Sequence, residues 1–159
     1  MIHKNINSYS QDRVEYLKWK RDNVTYRGIK EYGKDNGVYG SYGEGLYTVP
    51  ASNKTMAKTY GSLYFVVNAK PTKPKVVSGI NNAEILIQTL IITFCKQNNV
   101  PYDKRYFEKH TSIAAEMIKL GFDGIFIKSR EYVNYLPKDV RFFDSEYLLE
   151  RYFYNYVQK

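Results

Sequence analysis

Leu120-Gly121-Phe122-Asp123-Gly124-Ile125-Phe126-Ile127-Lys128-Ser129-Arg130-Glu131-Tyr132-Val133-Asn134-Tyr135-Leu136-Pro137 is the most informative stretch of the chain. It reads in order as a helix end, a strand, a tight turn and a second strand. Gly121 stops an amphipathic run that begins near Ser112, because helices commonly close on a glycine in the left-handed conformation. Ile125-Phe126-Ile127 and Tyr132-Val133-Asn134-Tyr135 are β-branched and aromatic runs split by the charged turn Lys128-Ser129-Arg130-Glu131, and Pro137 ends the second. Two strands this close in sequence predict an antiparallel hairpin following a helix.

Outward from there, helices and strands do not alternate. Downstream, Val140–Phe143 forms one more strand, and a helix over 145–157 carries Leu148, Leu149, Tyr152 and Tyr156. Upstream, Ala83–Lys96 reads as a buried helix, interrupted by polar residues and well short of the ~20 residues that cross a bilayer. A polar loop with Pro101 follows it, and a stiff connector, Lys70-Pro71-Thr72-Lys73-Pro74, precedes it. Ser62–Asn68 is the clearest buried strand. Before it, Leu46–Val49 forms a strand ended by Pro50, and Ser52 caps a short helix with Met56, Ala57 and Tyr60 on one face, closed by Gly61. A Gly/Tyr-rich loop occupies 32–45, Val24–Arg27 is an extended run stopped by Gly28, and Ser10 caps an N-terminal helix over 10–21. This order predicts an α+β domain rather than a doubly wound sheet.

The chain has 159 residues with 24 Lys+Arg against 16 Asp+Glu, a net charge of +8, and 43 % apolar residues. Those values fit one basic globular domain over 1–159. A single cysteine, Cys95, excludes an internal disulfide, and His3 and His110 are too few for a nitrogen-ligated metal centre, so no metal is expected. The N-terminus never runs more than two apolar residues together, so a cytoplasmic location without a membrane partner is expected. No phosphate loop, dinucleotide fingerprint or nucleophile elbow is present. From Gly45 to Ala83 there is no acidic residue, while Lys54, Lys58, Lys70, Lys73 and Lys75 all fall there. Such a field attracts phosphates, nucleic acid or acidic protein, and equally serves as a solvated face.

Several segments in this order resemble the ADP-ribosyltransferase family. They are Tyr26-Arg27-Gly28; Gly43-Glu44-Gly45-Leu46-Tyr47-Thr48 leading to Ala57-Lys58-Thr59-Tyr60-Gly61; Leu120–Ile125; and Glu131–Val140. The likeness covers about 24–143 and is most specific in the last block. It resembles small phage-encoded or toxin-like mono-ADP-ribosyltransferases, and implies a split mixed or antiparallel sheet with flanking helices. By that resemblance NAD is the co-substrate, Glu131 is catalytic, and Arg27, Gly28, Tyr47, Tyr60 and Ser52 bind NAD. Glu131 would hold a hydroxyl of the nicotinamide ribose and stabilise the developing cation. Arg27 would hold phosphate or ribose through its planar fork, and Tyr47 and Tyr60 would sandwich the nicotinamide ring.

Arg27 matches the Arg/Ser/Glu type of the family, whereas Gly45-Leu46-Tyr47 and Ala57-x-x-Tyr60 match the His/Tyr/Glu type. Arginine-modifying members carry a second Glu two residues before the catalytic one, and that place is Ser129 here. The implied acceptor is therefore another side chain of a host protein, ahead of a nucleic-acid base. Without the resemblance, the same residues have plainer readings: Glu131 a solvated turn residue, Arg27 a salt-bridged strand end, Ser52 a cap, and Tyr47 and Tyr60 rim aromatics among 17 tyrosines. The alternative function is a non-enzymatic basic module that binds nucleic acid or an acidic protein.

Overall fold

The computed structural model describes residues 6–30 and 39–158. Helix α1 (Ile6–Asn23) runs directly into strand β1 (Val24–Ile29). Ser10 lies inside α1, because an interior serine costs only a few tenths of a kcal/mol and a capping preference alone does not set a boundary. β1 likewise runs through Gly28, which pairs opposite Leu63 on β5 (Ser62–Val67). Pairing along the whole of β5 outweighs the weak strand propensity of one glycine.

The Gly/Tyr-rich segment contributes a small ribbon, β2 (Tyr39–Gly40) against β3 (Gly43–Glu44), and the part of it at 31–38 lies outside the described residues. β4 (Leu46–Thr48) follows, then a 3-10 turn (Ala51–Asn53) and helix α2 (Lys54–Lys58). Ser52 sits within the 3-10 turn and caps nothing; the cap positions are Pro50 and Asn53, without side-chain cap bonds. The expected connector 70–74 is shorter than predicted, since Pro74–Val77 forms strand β6. Pro74 is tolerated because it opens an edge strand, where its missing N–H breaks no ladder.

Helix α3 (Ile80–Gln97) matches the buried helix expected there. The polar segment after Pro101 contains a further helix, α4 (Lys104–His110), where a loop was expected. Asp103 caps it, accepting from the amides of Arg105 (2.9 Å) and Tyr106 (3.1 Å), and its one buried side chain, Phe107, anchors it to α3. A single anchor in seven residues leaves no apolar period to read. α5 (Ile113–Lys119) is capped by Ser112, and Gly121 after it has φ +94°. The hairpin follows as β7 (Gly124–Ile127) and β8 (Glu131–Asn134), with Ser129 at φ 61° in the turn. β9 (Arg141–Phe143) and α6 (Glu146–Tyr152, capped by Ser145 and continued by a π-helical turn Phe153–Val157) complete the chain.

The result is α+β with two principal sheets. One is antiparallel, in the order β1-β5-β9; the other is mixed, in the order β4-β8-β7-β6, with only β6 and β7 parallel. The core under the first sheet joins Tyr16, Val24, Tyr26, Val49, Val67, Leu149 and Phe153, so α1 and α6 close over it. Under the second, Ile125, Ile127 and Val133 pack on Ala83, Ile87, Leu90 and Ile91 of α3 and Met117 of α5. The side chains on the opposite faces, Thr25, Ile29 and Val66 on one sheet and Thr48 and Asn134 on the other, are buried too. Asp123 locks the approach to β7 by accepting from Thr72 N, Thr72 Oγ1 and Lys73 N at 2.7–2.9 Å.

Candidate active site

Among the described residues one isolated β-bridge joins the two principal sheets. Tyr26 of β1 and Val49, just past β4, exchange both backbone hydrogen bonds, at 2.9 and 2.8 Å. In an antiparallel ladder the bonded pairs alternate, so Gly28 and Tyr47 would be the next to bond. They do not form that pair: the Tyr47 carbonyl accepts from Arg27 Nη1 instead. The guanidinium acts as a wedge where β1 and β4 diverge. By the same alternation the N–H and C=O of Gly28 turn away from β5 and into this fork.

Gly28 is also where α2 crosses β1. A Cβ at this position would lie 1.8 Å from the Ala57 carbonyl oxygen and 3.2 Å from Gly61 N, so only glycine fits. Tyr60 lies in the turn between those two contacts, one residue before Gly61, and is 66 % exposed. Tyr47 is different. Its hydroxyl donates to Gly43 O (2.6 Å) and accepts from Tyr42 N (3.0 Å), and Gly40 passes so close that a Cβ there would meet the ring at 2.6 Å. Burial raises the Tyr47 phenol far above its usual range, so it stays protonated.

Glu131 opens β8. The β4–β8 ladder pairs Tyr47 with Val133 and Thr48 with Tyr132, and one further step of that register sets Val49 beside Glu131. Glu131 therefore begins the strand two positions across from Tyr26, about 10 Å away at ordinary strand spacing. Its side chain is 14 % exposed, and burial raises its carboxyl above the usual range, partly offset by Arg130. Arg130 Nε lies 3.9 Å from Glu131 Oε1, near enough for attraction and too far for a hydrogen bond. That Nε is buried and has no hydrogen-bond acceptor among the described residues. Glu131 also contributes to the raised phenols of Tyr42 and Tyr47, behind burial in both cases.

Thus the fork gathers Arg27, Gly28 and Tyr47 directly, with Tyr60 on one flank and Glu131 on the other. Ser52 is exposed on the 3-10 turn and reaches the group only through its neighbour: Asn53 Nδ2 donates to Arg130 O at 2.8 Å, fastening the turn that leads into Glu131. Sequence reasoning missed Asn53, Tyr42 and the role of Arg130. Arg130 was visible as a charge in the hairpin turn; Asn53 and Tyr42 carry no signal without the register. The lysines of 45–83 are dispersed: Lys54 lies over Tyr26, Lys70 over Tyr132 and Lys75 over Phe122. Among the described residues no helix is long and apolar enough to cross a membrane, and no three His, Cys, Asp or Glu gather as a metal site. No family model, curated protein or solved structure matches the chain.

Proposed function

We propose that the fork binds NAD and that the protein is a mono-ADP-ribosyltransferase acting on a host macromolecule, with a protein side chain favoured as acceptor. The observation that carries this is a largely shielded carboxylate, Glu131, beside a buried guanidinium nitrogen without an acceptor among the described residues, Arg130 Nε, one strand from a fork of divergent backbone. The residues fit the substrate in kind. The Gly28 amide and carbonyl are a donor–acceptor pair matched to a planar carboxamide, and the exposed Tyr60 offers a ring to stack on it. The planar fork of the Arg27 guanidinium suits phosphate or ribose oxygens. A ribose hydroxyl can donate to the Glu131 carboxylate and accept from Arg130 Nε.

In the reaction the C–N bond between ribose C1 and nicotinamide breaks, and the bonding pair leaves with nicotinamide, which becomes neutral. The positive charge left on the ribose is stabilised by the ionised Glu131, in partly desolvated surroundings where water screens it less than in bulk. A nucleophile of the acceptor then bonds to C1 and gives up its proton. Tyr47 takes no proton in this scheme, because its hydroxyl is engaged on both sides. It holds the ribbon β2–β3 in place over the fork.

The test is incubation with labelled NAD and a cytoplasmic lysate, wild type beside Glu131→Gln, followed by protease or nuclease. Label transferred by wild type alone and removed by protease is the expected result. Equal labelling by the two proteins overturns the mechanism. No transfer, together with no NAD binding by calorimetry, overturns the function.

A further inference from the structure

We propose that the groove between β9 and α6 binds single-stranded nucleic acid. This goes beyond the NAD reading and does not depend on it, since β9 is separated from β1 by β5. The open groove has a volume of about 720 Å³ at the β9 edge of the first sheet, and its lining includes Arg141, Phe143, Leu148, Arg151, Tyr152 and Tyr156. Both of its charged side chains are cations. Arg141 lies over the Tyr152 ring at 5.7 Å and Arg151 over Tyr147 at 5.7 Å, and neither is ion-paired among the described residues. A guanidinium stacked on a ring keeps its edge donors available for phosphate.

The acids of the same segment are removed from the groove. Glu146 is held by Lys20 (2.5 Å) and Tyr16 (3.2 Å), and Glu150 by Arg13, all from α1. Asp144 does not line it. Helix α6 thus turns its carboxylates toward α1 and its Arg151 and Tyr147 outward, while Tyr152 packs against the core with Trp19 and Phe143. Tyr147 is 66 % and Tyr156 74 % exposed, and Tyr156 adjoins Tyr152 with ring centroids 5.6 Å apart. Arg151 Nη1 donates one long bond to Tyr147 Oη at 3.4 Å, and its other donors have no carboxylate among the described residues. Ring faces interleaved with guanidinium groups free of carboxylates are the two components of sequence-tolerant single-strand binding, one for bases and one for backbone. An acidic peptide would use the cations and leave the rings without a matching surface.

Fluorescein-labelled dT12 and rU12 are titrated by anisotropy over a series of salt concentrations. Wild type is expected to bind with an affinity that falls as salt rises. Arg141→Gln with Arg151→Gln should flatten the slope of log K against log salt by about 1.4, at about 0.7 per phosphate for a single strand. Tyr147→Ala and Tyr156→Ala should each weaken binding by about 5-fold to about 150-fold. These are exposed positions, and circular dichroism confirms that each variant is folded. Lys75→Gln, on the other sheet, should change neither quantity. The proposal is overturned if neither oligonucleotide binds, if the arginine and tyrosine variants bind as wild type does, or if Lys75→Gln matches the arginine pair. Tighter binding of a labelled oligoglutamate, lost in the same variants, would overturn it in favour of an acidic peptide.

Discussion

Gly28→Ala tests the packing that keeps the fork open. The added Cβ would sit 1.8 Å from the Ala57 carbonyl oxygen and 2.9 Å from its carbon, where real Cβ atoms essentially never come within 3.0 Å. Helix α2 must therefore retreat by at least 3.0 − 1.8 = 1.2 Å, and the obstruction is backbone, which cannot rotate aside. Overpacking of this kind costs about 1–3 kcal/mol, and a rigid obstacle puts Gly28→Ala at the upper end, about 3 kcal/mol. Alanine recovers about 0.4–1 kcal/mol by restricting the unfolded chain. The net loss is about 2 kcal/mol, or a fall of about 4–8 °C in Tm for a domain of this size. The same displacement moves Tyr60 away from the fork, and a shift of about 1 Å in a positioned group costs turnover about 10²-fold. Urea denaturation and NAD turnover measure the two effects. A variant within about 0.5 kcal/mol of wild type would refute the close approach of α2 to β1 and the fork geometry built on it.

Glu131→Gln should leave the fold intact and lower transfer by about 10²- to 10³-fold. Because burial holds the Glu131 carboxyl above its usual range, the folded protein retains that proton better than the unfolded chain does. Its ionisation therefore costs stability as pH rises through the folded value, and Glu131→Gln should equal or exceed wild type in Tm at pH 7, with the gap closing in acid. The acid limb of wild-type activity should lie above the ordinary Glu value; a limb at or below it would contradict the burial. Asp123 behaves in the opposite sense: although burial opposes it, donors from Thr72 and Lys73 pull its carboxyl below the usual range. Asp123→Ala should cost about 1 kcal/mol in urea denaturation at neutral pH, discounted for partial exposure. That difference should vanish as pH falls through the folded value; a difference that persists in strong acid would show that the carboxylate is not its source. Tyr47→Phe removes two hydrogen bonds from the β2–β3 ribbon and should cost about 1–2 kcal/mol. Unchanged hydrogen exchange at the Tyr42 amide would argue against that anchor.

The hairpin 125–134, the helix starts near Ser112 and Ser145, the Gly121 stop and the buried helix α3 were legible because each rests on a local cause: strand-forming runs, a polar residue ahead of an apolar one, a left-handed glycine, an apolar stripe. β6 was hidden because Pro74-Lys75-Val76-Val77 looks like a tether. Its strand character comes from pairing with β7, some fifty positions away. α4 was hidden because one residue, Phe107, supplies its buried contact. The residues of the candidate site were named by likeness, while their arrangement was not readable: nothing local in Tyr26-Arg27-Gly28 says that a ladder will end after one bridge. Ser52 illustrates the limit of local chemistry, since serine ahead of a short helix is a good cap only if the preceding turn is not already helical.

The residues of the fork do not bear equally on function. Gly28 has a sufficient structural reason, because α2 leaves no room for a side chain. Arg27 has one too, since its guanidinium takes the carbonyl that the interrupted ladder leaves on Tyr47. Tyr47 pins a ribbon. All three would be retained by a protein that only needed its sheets to diverge here. Glu131 has no such reason: its side chain is only 14 % exposed, and burial disfavours its carboxyl as an anion. Among the described residues its only ion-pair contact is Arg130, at 3.9 Å. A structural ion pair between them would close to hydrogen-bond distance, because shielding the carboxylate from water is costly unless its partner's geometry repays it. A shielded carboxylate and a guanidinium held 3.9 Å apart offer an acceptor and a donor to a third group. That gap, more than the motif around it, is the observation on which the proposed ligand, one with a hydroxyl to place there, rests.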